Sequence, residues 1–497
     1  MNTNPTYDIG SPKLRNIWVD PVNGNDAADG TTRTVAVRTL GRAWKILPEP
    51  PDQNGNGWQV LLCPGRYAPE NRGQIVLTDR HATPVCPIII RPADAPLSAE
   101  LPPVDFARCS AVYLLDVRIS SSGLAGLGNH ENNLLHFAAS RDILIRRVTA
   151  RGTDAGNGWP FLVIKVNQCL RVYIEDCDLS GAAENTIDYV AIHYGHIVRN
   201  RLYDTRAECM YVKGGSAHHL IAGNEMYDSV NHCVLAGQCT GFQYLVDPWL
   251  HYEAYDIKVV NNIIHDAGSG LAVCGGYNIL LAWNTCYRVG SSRDAVVVGL
   301  GGRGWIGGRP PVVDTYFAAG GWCDPGGDGF NIPNRHVRIC NNVILNPDGY
   351  ESRHAHFGIS GPMVTRAGSN IPSPARADDD LVISGNILWN GPAGKPLLDD
   401  VAGMYHLAAR PTIDPAVLTR KNAVNTIRPQ LADPERGVFT PAPGGNLYSF
   451  RSVPIPDFAW ADAPAPPAVP PGNPDNQVLF DRAGRQRTPL TPIGAFV

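Results

Sequence analysis

The chain has 497 residues, of which 44% are hydrophobic and 18% charged, so disorder is excluded over most of its length. Lysine and arginine number 42 against 46 aspartates and glutamates, and this net charge of −4 gives no sign of a nucleic-acid-binding protein. The 51 glycines and 42 prolines would interrupt long helices, which argues against a helical bundle or a coiled coil.

The start of the chain shows no targeting segment. Residues 1–20 lack the charged start and apolar core of a signal peptide, and no run reaches the roughly 18 apolar residues of a membrane span. We therefore expect a soluble protein, which is secreted or periplasmic if a leader has been removed and cytoplasmic otherwise. A turn-rich stretch at 20–32 then precedes residues 35–48, the one convincing amphipathic helix.

A repeat occupies the middle of the chain. Six segments read apolar–x–apolar, a short gap and then asparagine, at Asn200, Asn224, Asn262, Asn284, Asn342 and Asn386. Short strands without intervening helices at this period predict the coils of an all-β, single-stranded right-handed parallel β-helix. Asparagine at a repeated turn tolerates a left-handed backbone and can bond to the same residue of the next coil. We therefore interpret these asparagines as architectural, and not as ligands.

The flanks and insertions complete the predicted organisation. A solenoid needs its apolar ends covered, so a strand and capping helix are expected before the coils. The predicted regions are an N-terminal cap at 1–60, the β-helix at 61–400 with insertions at about 239–254, 302–335 and 361–378, and an extended, Pro-rich C-terminal segment and cap at 401–497.

Cysteine usage points away from a disulfide scaffold. The chain has 12 cysteines and no Cys-x-x-Cys pair, so we expect buried free thiols and no structural zinc site.

The two ends of the chain carry a family resemblance. The opening IWVDPVNGNDAADGTT, the asparagine coils and the ending DRAGRQRTPLTPIGAF resemble right-handed parallel β-helix proteins of the pectate-lyase-like superfamily. That scaffold hosts lyases, hydrolases, epimerases and tailspikes, so the resemblance leaves the activity open. The favoured function is a polysaccharide lyase acting on an acidic glycan by β-elimination. The alternatives are a glycoside hydrolase or uronate epimerase, and a non-catalytic or tailspike-like glycan-binding solenoid.

One strand carries a local resemblance to specific enzymes. ECMYVKGGSAHH, residues 208–219, resembles the catalytic strand of alginate lyases and chondroitinase-B-type lyases. The resemblance implies that Lys213 is the base, that Glu208 is a metal ligand or the partner of the lysine, and that calcium bound by acidic side chains is a candidate cofactor. The arginine that those enzymes carry on the following coil has no counterpart in residues 231–239, NHCVLAGQC.

The chemistry of β-elimination suggests further candidates. The site must neutralise the uronate carboxylate, remove the adjacent proton with a base and protonate the leaving oxygen. Strand alternation places Met210 and Val212 inside, and Tyr211 and Lys213 outside. The candidate catalytic residues are Lys213, His193 and Tyr211. The candidate substrate-binding residues are Lys165, Glu208, Asp188, His232 and His136, and Glu208 and Asp188 are also weak metal-ligand candidates.

The rival hydrolase chemistry would need paired carboxylates on adjacent coils. Asp188 is one candidate, whereas Asp204, Asp228 and Asp266 recur after the asparagine turns and are interpreted as turn residues. The expected partner is an acidic polysaccharide or oligosaccharide, with no nucleic acid and no membrane. The short N-terminal cap favours a monomer over a tailspike-like trimer.

Overall fold

The computed structural model describes residues 4–50, 55–121, 133–152, 160–247, 250–304, 309–324, 329–392, 394–399, 410–458 and 476–497. Strands make up 46% of the structure and helices 8%, and most strands pair in parallel. Each coil contributes one strand to each of three parallel sheets, so the chain is a right-handed parallel β-helix, which confirms the predicted fold class. The described residues contain no helix long and apolar enough to cross a membrane.

The chain forms two compact units. The N-terminal unit comprises Pro5–Asp188 and Ile192–Arg206, and the C-terminal unit comprises the described residues of Met1–Asn4, Tyr189–Ala191 and Ala207–Val497. The core of each unit lies between its sheets, because alternate side chains of every strand point inward.

In the N-terminal unit, consecutive coils pair strand on strand. The strands of the first sheet are Leu14–Val19, Gly57–Leu62, Ile88–Pro92, Val112–Leu115, Arg141–Arg146, Leu170–Glu175 and His193–Val198. Those of the second sheet are Gly65–Arg66, Ala99–Leu101, Arg118–Ser120, Thr149–Arg151, Asp178–Ala182 and Arg201–Thr205. Those of the third sheet are Ile75–His81, Val104–Ser110, Asn133–Ala138, Leu162–Asn167 and Asn185–Val190.

In the C-terminal unit, two long strands, Glu225–Gly237 and Ile263–Cys274, each run from the second sheet into the third. The other strands of the first sheet are Ser216–Ala222, Ala254–Val260, Gly276–Ala282, Arg335–Cys340 and Val382–Ser384. The second sheet adds Thr285–Val289, Val343–Asn346, Ile387–Asn390 and Ala423–Val424. The third sheet adds Met210–Lys213, Val296–Gly299 and Phe357–Ile359.

The predicted asparagines form a buried ladder in the C-terminal unit. Asn262 donates from its side chain to Asn284 Oδ1 at 3.0 Å, and equivalent bonds of 2.8–3.0 Å join Asn224 to Asn262 and continue as far as Asn422. In the N-terminal unit, Asn200 Oδ1 accepts from the Cys177 amide at 2.9 Å. The architectural interpretation is therefore confirmed.

The left-handed backbone lies one residue before the ladder, and not at the asparagine as the sequence suggested. Positive φ angles occur at Asn261, Trp283 and Asn341, each followed by a ladder asparagine. The turn interpretation of Asp204, Asp228 and Asp266 is confirmed, since their φ angles are 55°, 50° and 49°.

The insertions form a layer of their own. Cys239–Gly241, Gly301–Gly304 and Gly329–Ile332 make a separate three-stranded sheet, accompanied by the helix Val312–Ala318 and the 3₁₀ turn Phe242–Tyr244.

The chain ends pack on the coils. The N-terminal helix spans Leu40–Ile46, shorter than the predicted 35–48, and Thr39 caps it by accepting from the Arg42 amide. In the C-terminal unit, Ala495 N–H donates to Thr285 Oγ1 at 2.9 Å, and the Arg487 guanidinium lies 4.0 Å from the Trp283 ring centre.

The remaining elements are short. They are the helix Pro415–Lys421, the hairpin strands Leu431–Asp433 and Val438–Pro441, and the 3₁₀ turns Arg33–Val35, Pro434–Arg436 and Asn446–Ser449. All twelve cysteines are free thiols and eleven of them are buried, as predicted.

Candidate functional site

The Lys213 ammonium is the centre of the candidate site in the C-terminal unit. Lys213 is the half-buried last residue of the strand Met210–Lys213. Its Nζ donates to Gln238 Oε1 at 2.8 Å and lies 4.1 Å from the centre of the Tyr211 ring. The lysine therefore touches the next coil through Gln238 and its own strand through Tyr211, on the face that alternation predicted.

The row that contains Tyr211 is apolar and buried. Tyr211 pairs with Leu235, Leu235 with Ala272, and Ala272 with Val297, so the four residues align across neighbouring strands. Tyr211 is only 4% exposed. Its ring thus offers a fixed surface to the lysine, because the buried row leaves it little freedom to move.

The turn after Lys213 requires glycine. Gly214 has a φ of 67°, and a Cβ there would lie 2.9 Å from Val190 Cγ1. The Gly214 amide donates to Glu253 Oε2 at 3.2 Å, and Thr240 Oγ1 donates to the same oxygen at 2.6 Å. The carboxylate of Glu253 therefore fixes the backbone on which Lys213 stands.

A buried ion pair in turn holds Glu253. Glu253 is fully buried and pairs with Arg303 of the insertion layer, which is 1% exposed. Arg303 also donates to the His251 and Tyr252 carbonyls at 2.6 and 3.2 Å. Burial lowers the pKa of Arg303 to about 10, so the guanidinium remains charged at neutral pH. The insertion layer thus supports the lysine turn from behind.

A second cluster of polar side chains lies at the start of the same third-sheet strands. Asn231 Nδ2 donates to Glu208 Oε1 at 3.5 Å, and Arg293 Nη2 donates to Asn231 Oδ1 at 3.3 Å. Burial, and then the Arg293 charge, lower the pKa of His232 to about 3. His232 is 2% exposed and neutral at neutral pH, so it cannot act as a cation toward a substrate.

The charge of Arg293 also reaches the Lys213 end of the sheet. Burial raises the pKa of Cys274 to about 12, while Arg293 lowers that pKa and Glu208 raises it. Cys274 ends the third-sheet strand two coils after that of Lys213 and pairs with Gly237, which precedes Gln238. The structure therefore brings an arginine to the lysine-bearing sheet.

The N-terminal unit carries the other predicted polar column. His136 pairs in register with Asp105 and Lys165, on successive third-sheet strands. The His136 Nδ1 to Asp105 Oδ1 distance is 3.0 Å, and Lys165 Nζ donates to Asp188 Oδ2 at 2.5 Å. His136, Lys165 and Asp188 thus form a row of adjacent polar side chains, as the sequence register suggested. His193 instead begins a first-sheet strand, where it pairs with Leu170.

A buried carboxylate pair lies farther along the C-terminal unit. Asp294 accepts from the Ala355 amide at 2.8 Å and is 1% exposed, and Asp399 is also buried. Burial, and then the charge of Asp399, raise the pKa of Asp294 to about 7. Both carboxyl groups are covered by protein, so they cannot contact a long glycan without a local rearrangement.

The candidate metal ligands do not form a cation site. Among the described residues, no three histidine, cysteine, aspartate or glutamate side chains converge as a metal site would require. Asp188 bonds to Lys165 and Glu208 bonds to Asn231, so each candidate already has a protein partner. The described residues therefore do not fit the calcium ion that the family resemblance implied.

Several site residues escaped sequence analysis. Arg293, Glu253 and Arg303 lie in or beside insertions, and nothing in the local sequence places them near Lys213. Aromatic residues of the insertions could stack on sugar rings; His251 and Trp322 pack together with ring centres 4.9 Å apart, whereas Trp249 and Trp305 lie outside the described residues.

Comparison with known proteins gives distant matches. No protein-family model and no curated protein sequence matches the chain. A rhamnogalacturonan lyase structure is similar, with 11% sequence identity, a TM-score of 0.41, and coverage of 75% of this chain and 87% of that one. The Azotobacter vinelandii mannuronan C-5 epimerase AlgE6 A-module gives 12% identity, a TM-score of 0.37, and coverage of 72% and 92%. The catalytic domain of a GH87 α-1,3-glucanase in complex with nigerose gives 8% identity, a TM-score of 0.40, and coverage of 75% and 66%.

Proposed function

We propose that the protein is a carbohydrate-active enzyme that cleaves an acidic glycan by β-elimination, with Lys213 as the general base. The observation that carries the proposal is the half-buried Lys213 ammonium, held between the Tyr211 ring and the Gln238 carboxamide at the end of a third-sheet strand. A fixed amine of this kind can approach the proton next to a uronate carboxylate.

The reaction has two electrostatic requirements. Removing the proton leaves negative charge on the uronate carboxylate, so a nearby cation must stabilise it. Arg293 supplies a cation on the same sheet, and its field already acts on Cys274. In this proposal Arg293 takes the part of the arginine that the following coil lacks.

The base must lose its proton when substrate binds. The Tyr211 ring favours the ammonium form by about 0.5–1 kcal/mol, the usual strength of an exposed cation–π contact. A glycan lying over the strand removes water from Lys213, and desolvation disfavours the charged amine more strongly than this. The candidate for protonating the leaving oxygen is the Tyr211 hydroxyl, since His193 belongs to a first-sheet strand of the N-terminal unit.

Hydrolysis is the second candidate function, and the pair Asp294 and Asp399 is the observation that favours it. A carboxyl group with a pKa of about 7 can act as a general acid, and a hydrolase needs a second carboxyl group beside it. Both groups are buried, however, whereas Lys213 reaches the surface. Uronate epimerisation would use the same base as β-elimination but would leave the glycan chain intact.

The product distinguishes these reactions. The purified protein would be incubated with polygalacturonate, alginate, chondroitin and rhamnogalacturonan, with neutral amylose as a control. β-Elimination predicts a new ultraviolet absorbance from unsaturated uronate ends in at least one acidic glycan. Reducing ends without that absorbance would favour hydrolysis, and inverted uronates in an uncleaved chain would favour epimerisation. Either result would contradict the proposal.

A further inference from the structure

A cavity of about 410 Å³ lies at the corner between the third and first sheets of the C-terminal unit. Its floor contains the buried rings of Tyr252 and Trp322, whose centres are 4.8 Å apart. Asn334 lines the same cavity and donates from its side chain to the Gly299 carbonyl at 2.8 Å, which ties the cavity to the end of a third-sheet strand.

The rim of the cavity is positively charged. Arg335 is paired there with Asp379. Arg376 also lines the cavity and is exposed, and its guanidinium has no hydrogen bond or ion pair with any residue that the structure describes. Two arginines against one aspartate leave one uncompensated positive charge over an apolar floor.

We infer that this cavity binds an anionic sugar unit of the substrate, with Arg376 as the residue that selects for negative charge. This inference rests on the proposed glycan-directed function and adds a subsite to it. An arginine guanidinium can form two parallel hydrogen bonds to a carboxylate, and the apolar rings beneath exclude water from that contact.

The cavity and Lys213 are both tied to the same end of the third-sheet strands. Tyr252 of the floor precedes Glu253, which holds the Gly214 amide next to Lys213. Third-sheet strands ending at Gly237, Cys274 and Gly299 follow Lys213 in turn, so the cavity is three coils away. At about 4.8 Å per coil this separation is about 14 Å, which requires several sugar units.

The experiment measures binding without cleavage. Calorimetric titrations would use Lys213→Ala protein and, additionally, its Arg376→Ala, Arg376→Lys and Arg366→Ala derivatives. The probes are di- and hexasaccharides of galacturonate and mannuronate, maltohexaose as the neutral probe, and a sulfated carrageenan hexasaccharide. Arg366 is the control, because it is an exposed arginine of the same insertion that pairs with Asp324 and does not line the cavity.

We expect Arg376→Ala to weaken binding of a uronate hexasaccharide by about 10- to 100-fold, the usual effect of losing a charge-assisted hydrogen bond. Arg376→Lys should recover part of this affinity, because lysine keeps the charge but loses the planar fork. Binding of maltohexaose, and binding of the uronate hexasaccharide by the Arg366→Ala variant, should show no such change. A loss confined to the sulfated probe would overturn the assignment to a carboxylate.

The two proposals fail in different ways. If Arg376→Ala and Arg366→Ala bind uronate hexasaccharides equally well, the subsite is wrong even if unsaturated products form. If Arg376→Ala loses affinity but the Lys213-containing protein yields no unsaturated product, the subsite stands and β-elimination is wrong. If no anionic hexasaccharide binds to the Lys213→Ala protein that retains Arg376, both the subsite and β-elimination are contradicted.

Discussion

The two predicted lysines meet opposite surroundings. Lys165 in the N-terminal unit donates to the buried carboxylate of Asp188, within a row that also contains His136 and Asp105. Lys213 in the C-terminal unit lies against a ring face and a carboxamide oxygen, at the edge of an apolar row. The same residue type on the same kind of strand is therefore fixed by a countercharge in one case and by packing in the other. We expect the first arrangement to contribute mainly stability and the second to allow chemistry.

The largest expected effect on stability concerns the support behind Lys213. Glu253→Ala leaves Arg303 buried without its carboxylate, so we expect the free energy of unfolding to fall by about 3–5 kcal/mol. Denaturant titration would measure the loss. Asp94→Ala, which breaks the exposed pair with Arg33, is the control and should change stability little. Equal losses of unfolding free energy for Glu253→Ala and Asp94→Ala would show that the Glu253–Arg303 pair does not stabilise the turn after Lys213.

A smaller loss is expected where the N-terminal unit pairs its charges. Asp188→Asn keeps the shape of the side chain but removes the countercharge of Lys165, so the unfolding free energy should fall by roughly 2 kcal/mol. Gln238→Ala is the comparison in the C-terminal unit, since it removes the hydrogen-bond acceptor of Lys213. We expect a smaller loss there, because the Tyr211 contact remains. A larger loss for Gln238→Ala would contradict the contrast between the two lysines.

We expect the loss of stability on replacing a ladder asparagine to increase with the number of hydrogen bonds that its side chain makes. Asn284→Ala removes a side chain that bonds to both neighbouring coils, at a cost of about 1–3 kcal/mol for the polar groups left unpaired. Asn425, which accepts from the Asn390 amide near the end of a second row, should matter less. Thermal unfolding of the two alanine variants would test the order, and an unaffected Asn284→Ala protein would contradict the ladder's structural role.

The pH dependence of stability offers the most local test, at a single buried carboxyl group. The pKa of Asp294 is raised to about 7 in the folded protein by burial and by Asp399. The stability that the protonated group contributes is therefore complete below its unfolded pKa near 4 and is lost as pH rises through about 7. Asp294→Asn should remove the contribution of this group to the pH dependence of stability. Identical stability profiles between pH 4 and 8 for the parent and the variant would contradict it.

The periodic parts of the molecule were accessible to sequence analysis. The coil asparagines and the facing of Tyr211 and Lys213 follow from a repeat and from strand alternation, which are local properties. The last rung, Asn422, was missed because a helix, Pro415–Lys421, replaces the usual strand before it. The left-handed turn residues were misplaced by one position, because several residue types occupy them, including Trp283.

The site was only partly accessible, for a physical reason. Arg293, Glu253 and Arg303 reach the lysine-bearing sheet through insertions whose length and path no periodicity constrains. The family resemblance suggested an arginine on the next coil, whereas the described arginine near this sheet comes from a more distant coil. Sequence analysis also did not predict that the row containing Tyr211 is buried, because side chains that point outward from a strand were expected to contact solvent.

In the proposed reaction Lys213, and not Lys165, abstracts the proton. The most direct test measures the ultraviolet absorbance of unsaturated uronates released by the parent protein, Lys213→Ala and Lys165→Ala from whichever acidic glycan is cleaved. Lys213→Ala should lower kcat by about 10²- to 10⁴-fold, the usual cost of losing a general base, without loss of fold. Lys165→Ala should leave kcat near the parental value, because its ammonium is held by Asp188. Near-parental turnover by Lys213→Ala would contradict the claim.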